Sequence, residues 1–143
     1  MATTERFSET ISSDLQAAER VQDRIISLLE SMEFEARDVF GMRLALEEAI
    51  VNAIKHGNGM DPSKSVEIEC EIGEERALVV VTDEGTGFDP MDIPDPTEAD
   101  NLEKPGGRGI MLMKAFMTRV EYNDRGNQVV LEKIRENGEE SDD

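Results

Sequence analysis

Leu46-Glu-Glu-Ala-Ile-Val-Asn-Ala-Ile-Lys-His-Gly57 carries two patterns at once. Met42, Leu46, Ala49, Ile50, Ala53 and Ile54 recur at helical spacing and mark one apolar stripe. Glu48, Asn52 and Lys55 fall in a narrow polar arc opposite it, and Glu48 and Asn52, four residues apart, stand one above the other. The spacing predicts a helix from about residue 35 to residue 56, with Gly57 as a left-handed stop. A carboxylate can act as base toward an attacking hydroxyl, and an amide oxygen is a hard ligand suited to Mg²⁺. A solvated helix face is the plainer reading of the same residues. Leu44 and Val51 flank the arc, which argues that something covers it.

Upstream, Phe7, Glu9 and Ile11 alternate with polar residues and predict a strand over residues 6–12. Ser13 or Asp14 can cap the helix marked by Leu15, Ala18, Val21, Ile25, Leu28, Leu29 and Met32. Downstream, residues 58–64 form a turn. Val66, Ile68, Cys70 and Ile72 alternate with Glu67, Glu69 and Glu71, and residues 77–82 follow as a more deeply buried strand. Gly73-Glu74-Glu75 joins the two as an antiparallel hairpin.

That buried strand runs into Val81-Thr-Asp-Glu-Gly-Thr-Gly-Phe-Asp-Pro90. A carboxylate fixed at a strand end, Asp83, can accept a hydrogen bond from an exocyclic amine such as that of adenine. Gly85 and Gly87 let backbone approach a ligand closely. An ordinary Asp/Gly turn is the alternative. Residues 84–107 then lose all pattern and hold four of the five prolines, Pro90, Pro94, Pro96 and Pro105. A patternless stretch of about 20 residues within one domain points to a functional loop or to disorder. Lys104-Pro-Gly-Gly-Arg-Gly-Ile110 next opens a helix expected over residues 109–117. Glycine-rich backbone at a helix start offers N–H groups and a positive dipole end to an anion; a flexible hinge is the competing reading. Residues 118–122 and 128–134 form a last hairpin, and residues 135–143 read as an acidic, disordered tail.

Taken in order, these motifs resemble the ATP-binding superfamily of gyrase, heat-shock chaperones, sensor histidine kinases and mismatch-repair ATPases. Glu48-Ala-x-x-Asn52-Ala-x-x-His56-Gly57 and Gly106-Gly-Arg-Gly-Ile110 resemble most the anti-sigma-factor serine/threonine kinases of that superfamily. The resemblance spans about residues 7–134. It implies an α/β fold, a two-layer α+β sandwich of the Bergerat type, with a mixed, mostly antiparallel sheet covered on one face by helices. It implies one domain over residues 1–134, with an ATP lid at about 89–105. Its cofactors would be ATP and Mg²⁺. By resemblance Glu48 activates the attacking hydroxyl and Asn52 binds Mg²⁺. Asp83 contacts the adenine amine, beside Gly85, Gly87 and Phe88. Gly106, Gly107, Arg108, Gly109 and Ile110 hold phosphates, with Lys104 adding charge. Lys55 and His56 stand on the nucleotide side of the helix end. The implied partners are a sigma factor and an anti-sigma-factor antagonist, with a homodimer as a family expectation.

Two positions depart from that pattern. Pro105 stands where kinase members often carry Arg, and Asn127 follows Gly126 where a Thr is usual. The first weighs on phosphoryl transfer more than on ATP binding. Three functions stay open at this point: a protein kinase, a nucleotide-gated binding switch, and a simple ATPase.

The composition narrows the rest. The 143 residues fit one domain. Fifteen Lys and Arg against 33 Asp and Glu give a net charge of −18, which disfavours nucleic acid and anionic membrane as partners. The single cysteine, Cys70, allows no internal disulfide and reads as a packed strand residue in a reducing cytosol. The first residues lack the apolar core of a signal peptide, and no apolar run is long enough to span a membrane. A soluble, cytoplasmic protein is the expectation.

Overall fold

The computed structural model describes residues 4–85, 114–123 and 126–135. Strand β1 (Glu5–Ser12) leads into helix α1 (Leu15–Ser31), and helix α2 (Ala36–Asn52) is continued by a π-helical turn, Ala53–Gly57. Four strands follow: β2 (Ser65–Ile72), β3 (Arg76–Asp83), β4 (Arg119–Tyr122) and β5 (Gln128–Ile134). They form one sheet in the order β1-β2-β3-β5-β4. All four pairings are antiparallel, so the described sheet is not mixed.

Local chemistry explains each boundary. Asp14 is the cap of α1, its Oδ1 accepting from the Gln16 N–H at 3.0 Å. Glu33 closes the other end in the left-handed region (φ 64°). There the Arg135 guanidinium donates to the Met32 and Glu33 carbonyls and stacks on the Phe34 ring. The expected single helix to residue 56 is instead α-helical to Asn52 and π-helical beyond. Gly57 is not its left-handed stop. The chain reverses later, at Gly59 (φ 64°) and Met60 (φ 61°). Residues 114–116 are helical, within the helix expected over 109–117.

The core lies between one sheet face and the two helices. Val66, Ile68, Cys70 and Ile72 of β2 point into it with Ala77, Val79 and Val81 of β3 and Val129 and Leu131 of β5. They meet Val21, Ile25 and Leu29 of α1 and Met42, Leu46 and Ile50 of α2. Cys70 is buried among them, and burial pushes its thiol up to about 12 against the pull of Arg24. It is a packed residue. Among the described residues no helix is long and apolar enough to cross a membrane.

The opposite sheet face carries a charge network. Glu132 accepts from Arg76 at 2.6 Å and from Arg119 at 3.0 Å. The Arg76 hydrogen bond, then that of Arg119, holds the Glu132 carboxyl below its ordinary 4.5, with burial opposing. A carboxyl whose folded pKa is depressed stabilises the fold above its unfolded value. That contribution is lost as pH falls through the folded value. Glu132→Gln should therefore show a smaller drop in melting temperature between pH 7 and pH 3 than the wild type. Equal drops in the two proteins would remove Glu132 from the acid response.

Candidate nucleotide site

Asn52 is the last residue of α2 and is 7% exposed. The turn after it changes register, with the Asn58 N–H donating to the Ala53 carbonyl at 2.8 Å and Met60 to Ile54 at 2.8 Å. Such π turns interrupt helices at functional positions. Asp83 is the last residue of β3 and is also 7% exposed. It continues the inward row of Ala77, Val79 and Val81, so strand alternation alone aims its carboxylate at the helices.

Asn52 and Asp83 line one cavity, together with Val81, Tyr122, Asn127 and Val129. Glu48 stands one helical turn above Asn52 and is half-buried. The polar arc is thus turned inward at Asn52, not set against solvent. Lys55 and His56 are exposed on the π turn and do not line the cavity. Gly87, Phe88, Lys104, Gly106, Gly107, Arg108, Gly109 and Ile110 lie outside the described residues, as do the expected lid and residues 136–143.

Close backbone contact holds the two halves of the site together. A Cβ on Gly57 would lie 2.3 Å from Asp83 Oδ2, and one on Gly85 would lie 1.6 Å from the Gly57 carbonyl oxygen. Both glycines are required by approach of the π turn to the end of β3. Asp83 Oδ1 accepts from the Gly85 N–H at 2.8 Å. The Asp83 N–H donates to the Asn127 carbonyl at 2.9 Å, and Asn127 Nδ2 reaches the Asp83 carbonyl at 3.4 Å. Asn127, in the place of the usual Thr, is thus bonded to the strand end.

Sequence reasoning missed two residues here. Asn58 is 3% exposed and satisfies three groups. Its Nδ2 donates to Ser13 Oγ and the Ser65 carbonyl, both at 3.0 Å, and its Oδ1 accepts from the Glu84 N–H at 2.9 Å. The Glu84 carboxylate in turn accepts from the Ser65 N–H and hydroxyl, which holds it below its ordinary value. The turn after Asp83 is therefore pinned from both sides. Only its place beside a Gly-rich helix end hinted at Asn58. The second is Tyr122, whose hydroxyl oxygen is fully buried against Asn52. Burial pushes the phenol up to about 12, the nearby carboxylates of Glu48 and Asp83 add to the rise, and Asn52 opposes it.

The donor set tests the expected metal. Among the described residues no three His, Cys, Asp or Glu converge. The side-chain oxygens at the cavity come from Asn52, Asp83, Tyr122, Asn127 and Gln128. That set fits a hard cation that keeps waters and takes phosphate oxygens, and does not fit a caged transition metal. A larger depression of about 360 Å³ lies on the far sheet face, between Arg6, Leu78 and Val80. Its rim of Glu69 and Glu71 has the wrong sign for a phosphate ligand.

The chain is similar to known proteins. The family model described as the histidine kinase-like ATPase domain matches residues 11–133. An anti-sigma F factor of Clostridium perfringens is 34% identical over 98 residues, 64% of this chain and 69% of its own. A serine-protein kinase RsbW of Listeria monocytogenes is 30% identical over 110 residues, 70% of this chain and 68% of its own. Among solved structures, the RsbU and RsbW domains of a Mycobacterium tuberculosis protein superpose with a TM-score of 0.63 at 15% identity. That match covers 92% of this chain and 32% of the longer one, and it establishes the fold alone.

Proposed function

We propose that this chain, which belongs to the histidine kinase-like ATPase family and within it to the branch of anti-sigma factors and serine-protein kinases, is an ATP-dependent anti-sigma regulatory kinase. It binds a sigma factor and phosphorylates a Ser or Thr of an anti-sigma-factor antagonist, in the cytoplasm, with Mg²⁺ accompanying the nucleotide. The observation that carries the reading is the meeting of buried Asn52 and buried Asp83 at one cavity, with Glu48 a turn above.

Each residue has a distinct task. Asp83 accepts from the adenine amine while the Gly85 N–H holds its Oδ1 in place. Asn52 supplies an amide oxygen to Mg²⁺, which when bound neutralises phosphate charge. By resemblance Gly106, Gly107 and Gly109 would hold the phosphates, with Lys104 and Arg108 adding positive charge in an acidic chain. Glu48 orients the substrate hydroxyl and takes its proton as the γ-phosphoryl is transferred in line. A nucleotide-gated switch without transfer is the second reading, and Pro105, where kinase members often carry Arg, favours it.

Calorimetry with ATP, with and without Mg²⁺, tests the reading directly. Wild-type protein binds in a Mg²⁺-dependent way. Asp83→Asn loses about 1–3 kcal/mol of ATP affinity, because an amide presents a donor where a charged acceptor stood. Equal affinities would remove Asp83 from the site. Absence of any binding at millimolar nucleotide would overturn the assignment. Transfer of ³²P from ATP to the partner separates the kinase from the switch.

A further inference from the structure

We infer that Tyr122 is a resident competitor of the nucleotide: its side chain fills the space between Asn52 and Asp83 and must turn outward before a purine can enter. The inference rests on the reading of that cavity as the nucleotide site.

Register puts the ring there. Tyr122 pairs with Val129, and Val120 with Leu131, so the two residues lie on the sheet face that carries the core. Tyr122 closes β4, a four-residue edge strand, and its side chain lines the cavity with Asn52, Asp83 and Asn127. Its hydroxyl oxygen has no solvent contact. What remains of the cavity is about 10 Å³. That is roughly one water's space, against the 300–1,000 Å³ typical of small-molecule sites. A purine and this ring therefore exclude one another.

The movement required is small and local. Asn123 Oδ1 accepts from the N–H groups of Gly126, Asn127 and Gln128, at 2.8, 3.0 and 3.3 Å, which fixes the hairpin next to Tyr122. Asn127 in turn is tied to Asp83. The backbone can stay where it is while the side chain rotates out of the cavity. Leaving costs the ring its burial and its contact with Asn52, and apparent nucleotide affinity falls by the fraction of molecules with the ring turned out. The displaced contact is with Asn52, the proposed metal ligand. Opening therefore frees the adenine pocket and the Mg²⁺ position together.

The chain itself supplies the probe. Tyr122 is its only tyrosine and it has no tryptophan, so intrinsic emission reports this one ring. Saturating Mg·ATP should raise acrylamide quenching of that emission toward the value of an exposed tyrosine. Tyr122→Ser, which removes the ring, should bind Mg·ATP several-fold tighter, the factor being the inverse of the fraction of molecules with the ring turned out. Melting curves establish whether the variant is folded; should it unfold, wild-type quenching still decides. Wild-type binding with unchanged quenching, or binding by folded Tyr122→Ser no tighter than that of the wild type, overturns the competitor role alone. Failure of wild type and variant to bind ATP overturns the site reading beneath it.

Discussion

Glu48→Gln slows phosphoryl transfer to the partner protein by about 10²–10⁴-fold, the usual contribution of a positioned base. The amide keeps the size of the carboxylate, and Glu48 is half-buried outside the main core, so the fold should survive. ATP binding should persist as well, because the proposed adenine and metal contacts are those of Asp83 and Asn52. Asn52→Ala should give the contrasting pattern, because it removes the proposed metal ligand and so weakens Mg·ATP binding itself. A single-turnover assay with pre-bound nucleotide distinguishes the two. Wild-type transfer rates in Glu48→Gln would exclude Glu48 as the base. If the wild type transfers to no partner while ATP alters partner affinity, the gated switch is the better account.

Lys133→Met should destabilise the chain by about 3–5 kcal/mol. Asp38 lies near the start of α2 at 1% exposure, and neither of its side-chain oxygens has a hydrogen-bond partner among the described residues. Its ion-pair partner is the Lys133 ammonium of β5, at 3.7 Å. Removing that ammonium leaves a buried carboxylate with its solvation lost and nothing in exchange. The loss should lower the melting temperature by on the order of 10 °C for a domain of this size. Replacing both partners, as Asp38→Leu with Lys133→Met, should recover most of the loss, since an apolar pair is often as stable as a buried ionic one. Urea unfolding of the two single variants and the double variant measures this coupling. Independent, additive effects would show that the pair does not act as a unit.

The sheet and helices were legible because their sequences obey a single period. Val66, Ile68, Cys70 and Ile72 alternate without exception, and their inward row is the core of β2. Asp14 could be read as a cap from its place before an apolar period. Asn52 and Asp83 were joined in the sequence by the resemblance, Asn52 from the polar arc of the expected helix and Asp83 from the end of an apolar strand. What escaped were residues whose role depends on a distant segment. Gly57 reads as a helix stop, yet it is required because Asp83, 26 positions on, comes within 2.3 Å of where its side chain would be. Asn58 and Asp38 look like surface polar residues until Ser65, Glu84 and Lys133 are brought to them. Tyr122 gave no signal of its own, because a strand-end aromatic is ordinary core until the cavity beside it is known.

The strand order has a consequence for synthesis. β5 lies between β3 and β4, although it is the last of the described strands to leave the ribosome. The meander β1-β2-β3 and both helices can form first, but β3 then presents an open edge along its whole length, with Val79 and Val81 facing a half-built core. At roughly 5–20 residues per second, the 45 positions from Asp83 to Gln128 take some seconds to emerge. Through that interval Asp38 has no Lys133, and the α1–α2 corner has no Arg135 to bond its carbonyls. A nascent chain stalled before residue 128 would carry an unpaired strand and an uncompensated carboxylate together, making it a ready client for chaperones that hold exposed β edges.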